Sequence, residues 1–219
     1  MKITTVLKSG GEYKPEHVQA LQRQCSGYAP FLEFQCLTDM QIPGVDCIPL
    51  KYGYPGWWSK LEMFRPDVKG DLFFLDLDTI LVGALDDILA VATGTRIIVL
   101  RDFYRDGKRL RAGVGSGLMY LPEDCRAEPW SFFQKNPRAH MQAMHKGDQQ
   151  LLELLWGTEV PTWQDLVPDQ VVSYKVHCCQ GFQLGGAPTY RGVPPNARII
   201  CFHGKPRPFG LPQFSHYYN

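Results

Sequence analysis

The sequence predicts a single α/β domain, built on a mixed, mostly parallel sheet flanked by helices, and three observations carry that prediction. Segments of strand and helix periodicity alternate along the chain. One run, Leu72-Phe73-Phe74-Leu75, is continuously apolar, as expected of a strand covered on both faces. No linker, repeat or low-complexity tract divides the 219 residues, so one domain spans 1–219. At 44% hydrophobic and 21% charged, the chain has enough apolar surface to bury a core.

The elements follow in order. Ile3 to Leu7 is short and β-branched, and the loop Ser9-Gly10-Gly11 separates it from a helical pattern over Pro15 to Cys25. Phe34 to Leu37 and Cys47 to Leu50 read as two strands separated by turns. Trp57 to Phe64 has helical spacing, with Trp57, Leu61 and Phe64 on one stripe and Pro66 as the stop. After the apolar run at 72–75 come a turn at Gly83 and a short helix over Leu85 to Val91. Strands are then expected over Arg96 to Asp102 and Gly113 to Leu121. Trp130 to Met144 and Asp148 to Trp156 are helical, the first kinked or split by Pro137. Val171 to Cys178 and Ala197 to Phe202 read as the closing strands, before a proline-bearing tail.

Composition narrows the function. Lys plus Arg number 23 against 22 Asp plus Glu, so no strong overall field attracts a polyanion, and nucleic acid is not an expected partner. The seven cysteines contain no C-x-x-C pair and fit reduced thiols. The first apolar stretch ends at Lys8, Gly10 and Gly11, short of a signal-peptide core. No window approaches the roughly 18 to 20 apolar residues that a transmembrane helix needs. These features lead to the expectation of a cytoplasmic protein.

Asp76-Leu77-Asp78 closes the buried strand and sets two carboxylates on a bending backbone at its carboxyl end. Adjacent carboxylates repel when ionised. A divalent cation removes that penalty, and hard oxygen ligands suit Mg²⁺ or Mn²⁺. Ligands of open α/β sheets also collect beyond the carboxyl ends of strands. The alternative is a solvated strand-to-turn pair that only caps the backbone near Leu81.

The run from Leu72 to Val82, followed by Leu85-Asp86-Asp87-Ile88, resembles the D-x-D segment of GT-A-fold glycosyltransferases, especially the retaining family 8 enzymes related to glycogenin. Other segments match in family order. Val6-Leu7-Lys8 through Tyr13 resembles the first strand and loop, which hold the uracil, with Tyr13 able to stack on the base. Trp58-Ser59-Lys60-Leu61 resembles the helix whose lysine, here Lys60, contacts the donor. Gly115-Ser116-Gly117-Leu118-Met119 resembles an N-S-G-x-x strand, with Gly115 where the family has asparagine. Gly147-Asp148-Gln149 resembles the D-Q pair beside the transferred sugar, although an Asp at a helix start also serves as a cap. Phe202-His203-Gly204-Lys205-Pro206 resembles the closing H-x-G-x-K-P-W element, with Arg207 following where tryptophan is frequent.

The resemblance implies a metal-dependent transferase moving a sugar from a UDP-sugar donor to a carbohydrate, lipid or protein acceptor, with retention. Mn²⁺ or Mg²⁺ would be held by Asp76, Asp78 and His203. Leu7, Lys8, Tyr13, Lys60, Leu77, Ser116, Gly204 and Lys205 would join the two acids in binding the donor, and Asp148 and Gln149 would act at the transferred sugar. The length is short for the family, so trimmed acceptor-recognition segments are expected. The transferase reading rests on the convergence of Asp76, Asp78 and His203 on one cation, above a cleft. Two rivals remain: a catalytically weak sugar-nucleotide-binding protein, and a phosphatase of the haloacid dehalogenase type, whose D-x-D-x-T pattern this chain does not match because Thr79 follows Asp78 directly.

Overall fold

The computed structural model describes residues 1–103, 113–157, 159–181 and 189–218. The opening β-branched segment forms β1 (Lys2–Leu7), and Pro15, placed where its missing N–H costs nothing, starts α1 (Pro15–Tyr28). Then come β2 (Phe34–Thr38), β3 (Asp46–Pro49), β4 (Leu72–Leu75), β5 (Thr79–Leu81), α2 (Asp86–Val91), β6 (Ile98–Arg101) and β7 (Val114–Leu121). The second half contributes α3 (Ala127–Lys135), α4 (Pro137–Ala143), α5 (Asp148–Trp156), α6 (Trp163–Leu166), β8 (Val171–Ser173), β9 (Cys179–Gln180), β10 (Thr189–Tyr190) and β11 (Ile199–Cys201). The break between α3 and α4 falls at Pro137, where Asn136 accepts a hydrogen bond from the Ala139 N–H at 3.1 Å.

The large sheet has the order β3-β2-β1-β4-β7-β6, and among its described strands only β7 runs against the others. Side-chain alternation on β4 explains its unbroken apolar sequence. Phe73 and Leu75 pack with Ile3, Leu21 and Trp163 on one face, while Leu72 and Phe74 pack with Leu61, Phe64 and Phe133 on the other. A second sheet, β5-β11-β8, carries the chain away from the end of β4, and a short β9–β10 ribbon stands apart.

Two segments depart from their expected form. Gly56–Phe64 is a 3₁₀ helix, with three residues per turn instead of 3.6. That period puts Trp58, Leu61 and Phe64 together in the core and removes Trp57 from the stripe expected for it. The strand expected over Val171 to Cys178 stops at Ser173 and continues as a π turn, Tyr174–Cys178. There Ser173 takes the local backbone out of a ladder: its Oγ accepts from the Val176 N–H, and its own N–H donates to His177 Nδ1 at 2.9 Å.

Candidate active site

The strand order reverses between β1 and β4, because the chain leaves β1 toward β2 and β3 and returns to β4 on the other side. Open α/β sheets bind ligands in the crevice at such a point. Here it holds a cavity of about 650 Å³, lined by Leu7, Lys8 and Tyr13 after β1, by Asp76, Leu77 and Asp78 after β4, and by Ser116, Asp148, Gln149, His203 and Gly204. The Asp76 N–H donates to the Gly117 carbonyl at 2.9 Å and the Thr79 N–H to the Asp76 carbonyl at 3.0 Å, so the D-x-D is the turn by which the chain passes from the large sheet to β5. Pairing of β5 with β11, Thr79 opposite Cys201, then delivers residues 202–207 to the same rim.

Lys60 ties three of these elements together. Its Nζ donates to both Asp76 carboxylate oxygens at 3.1 Å, lies 3.3 Å from Asp148 Oδ2 and reaches Ser116 Oγ at 3.4 Å. Burial works against the ammonium, but Asp148 and Asp76 outweigh it and hold its pKa above the ordinary lysine value. Burial pushes the Asp76 carboxyl up to about 7; Lys60 opposes that rise, and Asp78 and Asp148 add to it. Asp78 is also raised by burial, against the pull of Arg207. Asp78 Oδ2 accepts from the Tyr13 hydroxyl at 2.9 Å and from Arg207 Nη1. Arg207 is anchored in turn by Glu12 at 2.8 Å and lies over the Tyr13 ring, 5.2 Å from its centroid.

No protein-family model matches the sequence, and no curated protein matches it significantly. Solved structures do. The galactosyltransferase LgtC, crystallised with donor and acceptor sugar analogs, superimposes with a TM-score of 0.67 at 10% identity, over 100% of this chain and 95% of that one. The glycosyltransferase GlyE of Streptococcus pneumoniae TIGR4 gives a TM-score of 0.68 at 14% identity, covering 99% of this chain and 59% of that one. The bifunctional glycosyltransferase WbbM gives 0.65 at 10% identity, with this chain spanning 51% of its length.

This chain has the GT-A fold. At such identities the likeness concerns the fold, and the chemistry has to be argued from the site. Within the GT-A cavity the residues expected from the sequence do not all take their expected places. Leu7, Lys8, Tyr13, Lys60, Asp76, Leu77, Asp78, Ser116, Asp148, Gln149, His203 and Gly204 line it. Gly147, not Asp148, occupies the cap position of α5, so Asp148 is buried in the cavity wall and does not serve as a cap.

The convergence of Asp76, Asp78 and His203 on one cation, on which the sequence reading rests, is not seen. The three line one cavity, but the imidazole is engaged elsewhere, so the functional reading has to rest on the other cavity residues. His203 Nε2 is 2.6 Å from Ser173 Oγ, and its ring stacks on Phe103 at 5.9 Å between centroids. Among the described residues no group of three His, Cys, Asp or Glu side chains is arranged to hold a metal ion. Burial, with help from Lys175, pushes the imidazole down to about 4. Lys205 does not line the cavity: it is 73% exposed and pairs with Glu12 at the cavity rim, whereas Arg207, two residues on, does line it. The sequence signal for Arg207 was its position after Lys205-Pro206, where the family pattern has an aromatic. Finally, a Cβ on Gly115 would lie 2.9 Å from Leu100 Cβ on β6, so close strand packing accounts for that glycine in place of the family's asparagine.

Among the described residues no helix is long and apolar enough to cross a membrane.

Proposed function

We propose that this chain is a glycosyltransferase that moves a sugar from a UDP-sugar donor to an acceptor with retention at the anomeric carbon. One observation carries the reading: Lys60 bridges the D-x-D turn to Asp148 inside an open cavity at the strand-order reversal. The nucleoside belongs beside Leu7, Lys8 and Tyr13, the diphosphate beside Lys60 and Arg207, and the transferred sugar beside Asp148 and Gln149. Arg207, a planar fork now on Asp78, can donate to two phosphate oxygens at once. Asp148, already charge-paired with Lys60, steadies the positive charge at the anomeric carbon without acting as a nucleophile. The bond from that carbon to the phosphate oxygen breaks, the acceptor oxygen attacks from the same face, and the acceptor's proton passes to the departing phosphate.

A divalent cation, Mn²⁺ or Mg²⁺, fits Asp76 and Asp78 without His203. Asp76, Asp78 and Asp148 bring three carboxylates to one stretch of the cavity against the two cations Lys60 and Arg207, a place that a dication would complete. Charge balance supports this. Among the described residues lining the cavity, the acids Glu12, Asp76, Asp78, Asp102 and Asp148 are matched one for one by Lys8, Lys60, Arg101, Lys146 and Arg207. An arriving diphosphate therefore needs positive charge of its own. Bound there, the cation supplies Lewis-acid stabilisation of the leaving diphosphate.

A nucleotide-release assay across a panel of sugar nucleotides, with Mn²⁺, with Mg²⁺ and with chelator, tests the proposal. Release from a UDP-sugar that requires the cation supports it; no release from any donor overturns it. The missing side chain at Gly115 favours one second reading, a sugar-nucleotide-binding protein with little turnover. A rise in Tm with Mn²⁺ and UDP but no release would select that reading. The GT-A fold counts against the phosphatase alternative.

A further inference from the structure

The 3₁₀ period that removes Trp57 from the core sets it beside Lys60, because residues three apart share a side of such a helix. Trp58, its neighbour, is 5% exposed, whereas Trp57 is 57% exposed and lines the cavity. A lone exposed aromatic is ordinary. This one has a fitted seat. A Cβ on Gly147 would fall 2.1 Å from the indole Cδ1 and Nε1, and Gly147 has φ +65°, so its bare backbone both permits the turn into Asp148 and makes room for the ring. The indole is thus packed against backbone on one side and open to the cavity on the other.

Its position along the site follows from the contacts. Tyr13 touches Asp78, Asp78 adjoins Asp76 in the D-x-D turn, Lys60 joins Asp76 to Asp148, and Gly147 joins Asp148 to Trp57. With the transferred sugar at Asp148, the indole, seated on the adjoining Gly147 and lining the same cavity, borders that sugar, where an acceptor can reach both. An indole there matches the apolar C–H face of a pyranose, which can stack on it while the ring hydroxyls reach Asp148 and Gln149. We infer that Trp57 is an acceptor-binding platform and that the acceptor is therefore a saccharide. This inference rests on the glycosyltransferase reading above.

Saturation-transfer NMR with methyl β-glucopyranoside and methyl β-galactopyranoside, recorded with UDP present, tests it directly. Irradiating the aromatic protons should saturate the C–H protons of one pyranose face in the wild type and in Trp57→Phe, but not in Trp57→Ala. Gly147→Ala, which forces the indole off its seat, should weaken the signal as well. In turnover with a saccharide acceptor, Trp57→Ala should raise acceptor KM roughly tenfold, equivalent to about 1.4 kcal/mol, with a smaller effect on kcat. Leu154→Ala, at an exposed leucine outside the cavity, serves as the unchanged control. Unaltered saturation and unaltered acceptor KM in Trp57→Ala would overturn the inference, as would turnover of an acceptor without a sugar ring that depends equally on Trp57. Donor hydrolysis by the wild type separates the two claims: its absence counts against the transferase reading, and the saturation experiment then still decides whether the indole holds a sugar ring.

Discussion

Lys60 and Glu62 stand two residues apart on one 3₁₀ segment and enter two buried charge clusters with different outcomes. Glu62 is fully buried, and its carboxylate accepts from the Lys51 N–H at 2.6 Å, the Tyr52 N–H at 3.1 Å and Arg65 Nη1 at 2.5 Å. Arg65, 2% exposed, also donates to the Pro49 carbonyl at 2.9 Å and, in a two-point fork, to Asp67 at 2.9 and 3.1 Å. That fork holds the Asp67 carboxyl well below the usual range, against the effect of burial. Lys60 instead meets Asp76 and Asp148 at the wall of an open cavity. Asp76 is driven up to about 7 there, and Asp148 Oδ2 accepts no well-directed hydrogen bond from a described residue. Buried charge alone therefore does not mark a site. The mark is charge left partly unsatisfied toward an opening, where a ligand can complete it.

The sharpest break of this comparison is Glu62→Ala. It should leave the Lys51 and Tyr52 N–H groups without their acceptor and Arg65 with only Asp67 and the Pro49 carbonyl, and cost about 2–3 kcal/mol of stability, measured by urea unfolding. If the loss were under about 1 kcal/mol, the cluster would not be structural in the sense argued. Asp78→Ala addresses the other cluster. It should reduce nucleotide release on the order of a hundredfold to a thousandfold, as when a preorganised charge-stabilising group is lost, while Arg207 keeps Glu12 and the Tm moves only a few degrees. A comparable rate in the variant would remove the D-x-D from the chemistry.

His203 gives a smaller, pH-dependent effect. The unfolded chain takes up a proton on this imidazole near 6.5, whereas the folded protein resists protonation until about 4. The unfolded state thus binds more protons in that window, and stability falls as pH drops through it. In His203→Asn the slope of Tm against pH between 6.5 and 4 should flatten, and the Mn²⁺ requirement should persist. Loss of the cation response would restore His203 as a ligand. The smallest effect is expected at Lys205→Ala, where an exposed ion pair with Glu12 is worth about 0–1 kcal/mol and nucleotide release should stay close to wild type.

Local pattern determined much of this protein. The apolar run at 72–75, the acids that end it, the split at Pro137 and the extent of α5 are each set by residues within a few positions of one another, so they can be read from periodicity and backbone chemistry. The π turn after Ser173 was hidden because Tyr174, Val176 and Cys178 alternate like a strand, and only the Ser173 and His177 hydrogen bonds reveal that the ladder ends. The choice of 3₁₀ over α at Gly56–Phe64 was equally hidden, and with it the placing of Trp57 beside Lys60.

Partner choice at the rim was decided by tertiary structure alone. Arg207 and Asp78 are 129 residues apart, and they meet because β5 and β11 pair in a particular register beside the end of β4. The sequence could nominate His203, Lys205 and the D-x-D acids as one group. Which of them face a common point depends on strand register and on competing nearby partners, Ser173 for the imidazole and Glu12 for Lys205, and neither leaves a periodic trace in the chain.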